Sequence, residues 1–187
     1  VTVDGITHSL PKPFFVLATE NPVELAGTFP LPEAQLDRFL FKLSMGYADR
    51  QSEFDLIRAN RRQEAIYDLK PVIDLQEVIE MMDWANEVEI SDAVTFYIVD
   101  ICQATRVDPA LQMGASSRAA LSLMRASRVV AASQGRDDVL PDDVRLLVRP
   151  VLGHRLLLTP DALLRDDSVD NVIDRLLTQV KAPLGLQ

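Results

Sequence analysis

The chain has 187 residues, a length that suits one large domain or two small ones. Its net charge of −9 argues against a nucleic-acid surface, for which a basic field would be expected. A single cysteine, Cys102, excludes a disulfide within the chain and fits a reducing compartment. Neither a signal peptide nor an apolar stretch of about 18 residues occurs, so we expect a cytoplasmic protein without a membrane span.

Residues 1–47 mix strand and turn signals. Asp4-Gly5 separates two short runs and supplies the positive φ angles of a hairpin turn. The apolar run Phe14–Thr19 predicts a strand covered on both faces, as in a parallel sheet. Pro32–Phe39 can form a short helix, and Leu40–Met45 can form a last strand. One buried strand needs neighbours, so we expect the chain to be a piece of a longer protein.

Residues 48–187 predict a helical domain, because its segments begin at residues that can cap a helix. The break at Gly46 to Asp49 marks the expected domain boundary. The predicted helices are Arg50–Asn60 after Asp49, Leu75–Asn86 after Asp74, Asp92–Arg106 after Ser91, a long helix from Ser116 or Ser117 to about Gln134 that Gly135 closes, Asp142–Arg149 after Pro141, and Val169–Val180 after Asp167 or Ser168.

Two long segments resemble a known family. The segment "VDGITHSLPKPFFVLATENPVELAGTFPLPEAQLDRF" is similar to the second half of the AAA+ core in the MoxR family of ATPases. The segment "GASSRAALSLMRASRVVAASQGRDDVLPDDV" resembles the helical lid of that family. The implied fold is mostly α: the C-terminal remnant of an αβα AAA+ core over residues 1–47, with a hairpin, the sensor 1 strand and a short helix, and then an all-helical lid over residues 48–187.

The resemblance carries three site residues over to this sequence. Asn21 falls on the sensor 1 position, Arg38 in "LDRF" on the arginine finger, and Arg118 in "GASSRA" on the sensor 2 arginine. Glu20 stands where the family usually has Gln, and Ser117 where it usually has Pro. Neither departure changes the three site residues, although Glu20 adds a negative charge beside an expected phosphate site.

The chemistry of these residues agrees with the resemblance, but each also has a plainer interpretation. The side-chain amide of Asn21 can hold a water molecule without adding charge, and Pro22 restricts the backbone of Asn21. The plainer interpretation is a turn, because Asn-Pro is common in turns. Arg38 could offer its fork of donors to a γ-phosphate, or simply suit the C-terminus of a helix. Arg118 lies in a first helical turn, where the dipole disfavours a cation, so an anion nearby is expected; the alternative is a solvated side chain.

Other apparent signals are weaker. The run Phe96–Ile101 resembles a Walker B strand, but no acidic residue follows Asp100 and Ser91 predicts a helix through it. His8 and His154 are far apart, so a metal site is not expected. No G-x-x-x-x-G-K-[ST] loop occurs in the sequence.

The resemblance implies an ATPase that uses ATP and Mg²⁺ in a homo-oligomeric ring, a hexamer, and remodels or matures other proteins. A partner with a von Willebrand A domain is implied too. Without Walker A and Walker B motifs, this chain alone should be inactive. The alternative is a non-enzymatic helical module that binds a partner protein, and nucleic-acid binding is disfavoured by the charge.

Overall fold

The computed structural model describes residues 2–20, 32–59 and 69–183, and it divides into two units, Val1–Pro32 and Glu33–Gln187. In the first unit, strand β1 (Thr2–Val3) pairs antiparallel with β2 (Ile6–Thr7). Asp4 and Gly5 connect them with φ angles of 50° and 80°. The predicted Asp-Gly hairpin is therefore confirmed.

The run Phe14–Thr19 does not form the predicted strand. Its backbone is irregular and makes no ladder with any described residue, and the side chains of Phe15 and Leu17 are 79% and 84% exposed. An apolar run forms a buried strand only where neighbouring strands pair with it and cover its faces, and the described part of the chain supplies none.

The second unit is mainly helical, which confirms the predicted mostly α fold. Its elements in chain order are α1 (Glu33–Leu36), α2 (Arg50–Ala59), α3 (Leu75–Glu87), α4 (Asp92–Val107), β3 (Leu111–Met113), α5 (Ser117–Ser133), α6 (Pro141–Leu152), a 3₁₀ helix (Gly153–Arg155), β4 (Leu157–Leu158), α7 (Pro160–Leu164) and α8 (Val169–Gln179).

Capping residues explain where the predicted helices begin. Asp74 and Glu77 form a reciprocal capping box at α3, with N···O distances of 2.7 and 2.9 Å. Ser91, Ser116 and Ser168 each accept a hydrogen bond from the backbone N–H three residues ahead. Gly135, with φ at 70°, follows α5 as predicted.

The predicted all-helical lid needs one correction, because it contains a small sheet. Strand β3 pairs antiparallel with β4, and Leu111 lies opposite Leu158. These strands have only three and two residues, too short for an alternating pattern to be recognised in the sequence.

Helix α5 lies at the centre of the core and packs against α3, α4 and α6. Ala119 and Leu123 on α5, Ile101 on α4, and Val144 and Val151 on α6 are fully buried. The amphipathic faces of these helices thus meet one another, and this packing rather than helix propensity supplies most of their stability.

The segment after α1 is attached to the end of α6. The backbone N–H of Lys42 donates to the carbonyl of Pro150 at 2.9 Å, and residues 41–49 form no strand, so the predicted strand Leu40–Met45 is wrong. The Lys42 N–H thus binds the end of a helix instead of a neighbouring strand. A domain boundary at residue 47 stays a prediction.

Candidate functional site

Arg38 lies in a turn just beyond α1. The predicted helix Pro32–Phe39 is shorter in the structure and ends at Leu36. The N–H groups of Arg38 and Phe39 donate to the carbonyls of Gln35 and Leu36, at 3.1 and 3.0 Å, in the tighter i to i+3 pattern of a helix end. This pattern closes the helix and leads the chain into the segment of residues 37–40.

Arg155 holds the segment of residues 37–40. Its side chain is 2% exposed, and its Nε is 3.0 Å from Asp37 Oδ1. Its Nη2 donates to the carbonyls of Asp37 and Phe39, at 3.1 and 2.6 Å, and its Nη1 to that of Leu40 at 3.5 Å. A guanidinium has five N–H donors in a fixed fork, which lets one buried side chain satisfy several acceptors.

Burial and the neighbouring charge shift the pKa of Arg155 in opposite directions. Burial lowers the pKa of its guanidinium, and the Asp37 carboxylate opposes that shift. Arginine nevertheless stays protonated in proteins, so the buried cation is paired with an anion rather than neutralised. Removing either partner would leave the other as a poorly compensated charge.

His154 contacts the same segment. Its Nε2 is 3.1 Å from the carbonyl of Phe39, so Nε2 carries the proton and donates. Its Nδ1 is buried and has no hydrogen-bond partner among the described residues. Burial lowers the pKa of His154, and the neighbouring Arg155 and Lys42 lower it further, while the Phe39 carbonyl and Asp37 oppose the shift.

Arg118 meets Asp37 from the first turn of α5. Its Nη1 is 3.5 Å from Asp37 Oδ2, and Ser116, the cap of α5, donates from Oγ to Asp37 Oδ1 at 3.3 Å. The Arg118 side chain is 59% exposed, whereas that of Asp37 is 28% exposed. The anion expected near Arg118 is thus present within the chain, in the form of the Asp37 carboxylate.

The loop that leads to Arg118 is fixed by α4. Thr105 Oγ1 accepts from the N–H of Ala115 at 2.8 Å, and Arg106 Nε donates to the carbonyl of Ala115 at 2.8 Å. A Cβ on Gly114 would lie 2.7 Å from the Thr105 carbonyl oxygen and 2.8 Å from the Arg106 backbone. The glycine is required by this close approach, which sets where α5 begins and where Arg118 lies.

The Arg38 side chain is exposed, and no hydrogen bond or ion pair of its guanidinium occurs within residues 2–20, 32–59 and 69–183. The neighbouring Asp37 pairs with Arg155 and Arg118 instead. Arg38 can therefore present all five donors to an anion.

The structure places two of the three predicted site residues, Arg38 and Arg118, in the same part of the helical unit, and the third stays a prediction. Arg118 and the segment that carries Arg38 meet at Asp37, whereas Asn21 lies outside the described residues. The run Phe96–Ile101 is part of α4, which confirms the helical interpretation over a Walker B strand.

Sequence reasoning missed Asp37, His154 and Arg155 as parts of this site. Asp37 is next to Arg38 in "LDRF", and that adjacency was the only available signal. Arg155 is 118 residues from Asp37, and no local pattern distinguishes a buried arginine from a solvated one.

The donors fit phosphate groups better than a metal ion. Arg38 is exposed, and Arg118 is held by one long ion pair, so both guanidinium groups can bind anionic oxygens. Among the described residues, no group of three or more His, Cys, Asp or Glu side chains could hold a metal.

Among the helices that the structure describes, none has the length and apolar character to cross a membrane.

Two known protein families match parts of the chain. Residues 1–41 match the family "ATPase family associated with various cellular activities (AAA)", and residues 103–176 match the AAA lid domain. The chain is 42% identical to the uncharacterized protein YeaC of Bacillus subtilis over 98% of its length and 58% of that protein. It is 38% identical to Chaperone MoxR1 of Mycobacterium tuberculosis over 98% of its length and 50% of that protein.

A crystal structure of an ATPase candidate from Cytophaga hutchinsonii has the same fold, with a TM-score of 0.89 and 35% identity over 98% of this chain and 58% of that one. The chain thus spans about half the length of the curated relatives it matches. The motifs, the AAA match over residues 1–41, the lid match over residues 103–176 and the similarity to MoxR1 together lead to one conclusion: the chain belongs to the MoxR family of AAA+ ATPases.

Proposed function

We propose that this chain is part of an ATP-hydrolysing protein in which Arg38 acts on the nucleotide of a neighbouring subunit. Arg118 would contact phosphate from the lid, and Asn21 would position the attacking water. ATP and Mg²⁺ would be the cofactors, and a ring, a hexamer in our proposal, would supply the neighbouring pocket. A guanidinium in this role stabilises the charge of the transition state and is worth about 10³ to 10⁵ in rate.

The observation that supports this proposal most directly is the contrast between Asp37 and Arg38. Asp37 is tied to Arg155 by an ion pair of 3.0 Å, while the guanidinium of Arg38 is exposed and makes no ion pair with a described residue. A rigid backbone with a free cation suits a residue that reaches across a subunit interface, because little order is lost when the anion binds.

Hydrolysis would need a phosphate-binding loop, and the 187 residues contain no G-x-x-x-x-G-K-[ST] sequence. The isolated chain is therefore expected to be inactive. We further propose that the energy of hydrolysis remodels or matures other proteins in the cytoplasm, with a partner that carries a von Willebrand A domain. The name of the relative MoxR1, a chaperone, supports this direction.

The trans role can be tested in a full-length protein that contains this chain. The variant Arg38→Ala keeps its own pocket, so it should bind ATP normally, yet its turnover should fall by about 10³ or more. A second variant, broken in the phosphate-binding loop, should also be inactive. Mixed rings contain some interfaces with an intact pocket and an intact Arg38, so activity should reappear on mixing.

Dilution below the concentration at which rings form should abolish the recovered activity. If mixed rings form and stay as inactive as either variant, Arg38 does not act in trans. A full-length protein without any ATP turnover would instead favour a helical module that only binds a partner.

A further inference from the structure

Arg155 bridges the two backbone carbonyls that flank Arg38. The same Nη2 lies 3.1 Å from the carbonyl oxygen of Asp37 and 2.6 Å from that of Phe39. The carbonyl groups of the residues before and after Arg38 thus bind one buried side chain, while the Arg38 side chain itself is exposed.

We propose that Arg155 is a positioning residue for Arg38: it fixes the backbone from which Arg38 reaches the neighbouring subunit's phosphate. This inference rests on the trans role proposed above. In this role Arg155 would act only through the position of Arg38 and would make no contact with the nucleotide.

The distribution of the hydrogen bonds of Arg155 supports this role. Its Nε pairs with the Asp37 carboxylate, and its Nη1 also reaches the carbonyl of Leu40 at 3.5 Å. The other acceptors are the carbonyl of Val151 on α6 and Ser122 Oγ on α5. A residue that served only the helical core would direct its donors to the helices, whereas Arg155 directs most of its donors to residues 37–40.

Further contacts keep the segment on the end of α6. His154 Nε2 donates to the Phe39 carbonyl, and the N–H of Lys42 donates to the Pro150 carbonyl. Arg155 differs from both because its planar fork binds several atoms on each side of Arg38 at once. A lysine at position 155 would keep the charge, but its single nitrogen could not bridge the same atoms.

The variant Arg155→Lys in the full-length protein tests the proposal. Because a displacement of about 1 Å at a catalytic group can cost 10²-fold in rate, we expect kcat to fall by about 10- to 100-fold. The affinity for ATP should not change, because the variant keeps its own pocket. Arg175→Lys is the matched control, since Arg175 pairs with Asp108 and Asp167 within the helical domain. It should leave kcat unchanged.

Rings that mix Arg155→Lys with a second variant distinguish a positioning role of Arg155 from a general structural role. If Arg155 positions Arg38, Arg155→Lys should regain activity when mixed with the variant broken in the phosphate-binding loop, and should stay slow when mixed with Arg38→Ala. The reverse pattern, with recovery only beside Arg38→Ala, would show that Arg155 serves its own subunit's pocket and would overturn the proposal. Full activity of Arg155→Lys alone would overturn it as well.

Two controls keep the result interpretable. ATPase activity must first reappear when Arg38→Ala is mixed with the variant broken in the phosphate-binding loop. If it does not, the trans role of Arg38 is refuted, rather than the role of Arg155. If circular dichroism shows that Arg155→Lys unfolds the helices, Asp37→Asn replaces it. That variant keeps the backbone contacts of Arg155 and should show the same mixing pattern with a smaller loss, and the reverse pattern would again overturn the proposal.

Discussion

Asp37 and Arg118 are 81 residues apart in sequence, yet Asp37 Oδ2 lies 3.5 Å from Arg118 Nη1. The same carboxylate pairs at 3.0 Å with the buried Arg155. The two arginines differ in how firmly they are held, since the Arg118 side chain is 59% exposed and that of Arg155 is 2% exposed. Arg118 can therefore exchange Asp37 for another anion, whereas Arg155 cannot leave its site at low cost.

This exchange predicts the effect of Asp37→Asn on nucleotide affinity. Loss of the carboxylate charge removes the competitor of phosphate for Arg118, so the full-length variant should bind ATP at least as tightly. An exposed ion pair is worth about 0 to 1 kcal/mol, so the gain should not exceed about fivefold. Titration with a non-hydrolysable analogue measures it.

Asp174→Asn is the matched control for that titration. It removes an exposed ion pair with Arg149, 2.6 Å long, on another part of the helical domain. Its affinity for the analogue should equal that of the unchanged protein. Weaker binding by Asp37→Asn would contradict the exchange, because it would mean that Asp37 supports the pocket.

Arg118→Ala tests the phosphate contact from the lid. A hydrogen bond to a charged group is worth about 1.5 to 3 kcal/mol, so kcat/KM for ATP should fall by about 10- to 100-fold in the full-length protein. Arg125→Ala on the same helix removes another exposed arginine and should have no effect. Unchanged binding and unchanged turnover in Arg118→Ala would return Arg118 to a solvated surface residue.

The sequence predicts elements that depend on local chemistry. The caps Asp74, Ser91 and Ser168 each bind backbone N–H groups of the next turn, and Asp4-Gly5 fixes its own turn. These interactions span at most a few residues, so the pattern in the sequence is sufficient to predict them.

Elements that depend on distant partners were predicted poorly. Phe14–Thr19 has the composition of a buried strand, but a strand exists only where a neighbour pairs with it. The site shows the same limit: Arg38 and Arg118 are recognised from motifs, whereas the ion pair of Asp37 with Arg155 joins positions 118 residues apart. Nothing local to either residue reveals it.

His154 should make the stability of the chain depend on pH. Its pKa is lowered in the folded state, mainly by burial, so the unfolded chain binds the proton more tightly. The stabilising contribution is complete above the unfolded pKa of about 6.5 and is lost as the pH falls toward the folded value. Denaturant unfolding at pH 7.5 and pH 5.5 should therefore show a lower free energy at pH 5.5.

His154→Gln should reduce that difference between the two pH values. The amide can still donate to the Phe39 carbonyl, which His154 Nε2 reaches at 3.1 Å, but it takes up no proton. His8→Gln, at the other histidine of the chain, is the control and should leave the His154 contribution in place. An unchanged difference in His154→Gln would assign the pH dependence to other groups.

Gly114→Ala should destabilise the helical domain and displace the start of α5. The added Cβ would lie 2.7 Å from the Thr105 carbonyl oxygen and 2.8 Å from the Arg106 backbone, and neither is the flexible end of a side chain. Overpacking of this kind costs about 1 to 3 kcal/mol, measurable as a lower midpoint in thermal unfolding.

Gly153→Ala is the matched control for Gly114→Ala, because nothing lies within 4 Å of its Cβ position and its φ of −54° is helical. There alanine reduces the entropy of the unfolded chain, so the midpoint should stay the same or rise. Equal midpoints for the two variants would mean that the loop before Arg118 moves away from α4 at little cost, and that the position of Arg118 is not fixed by Gly114.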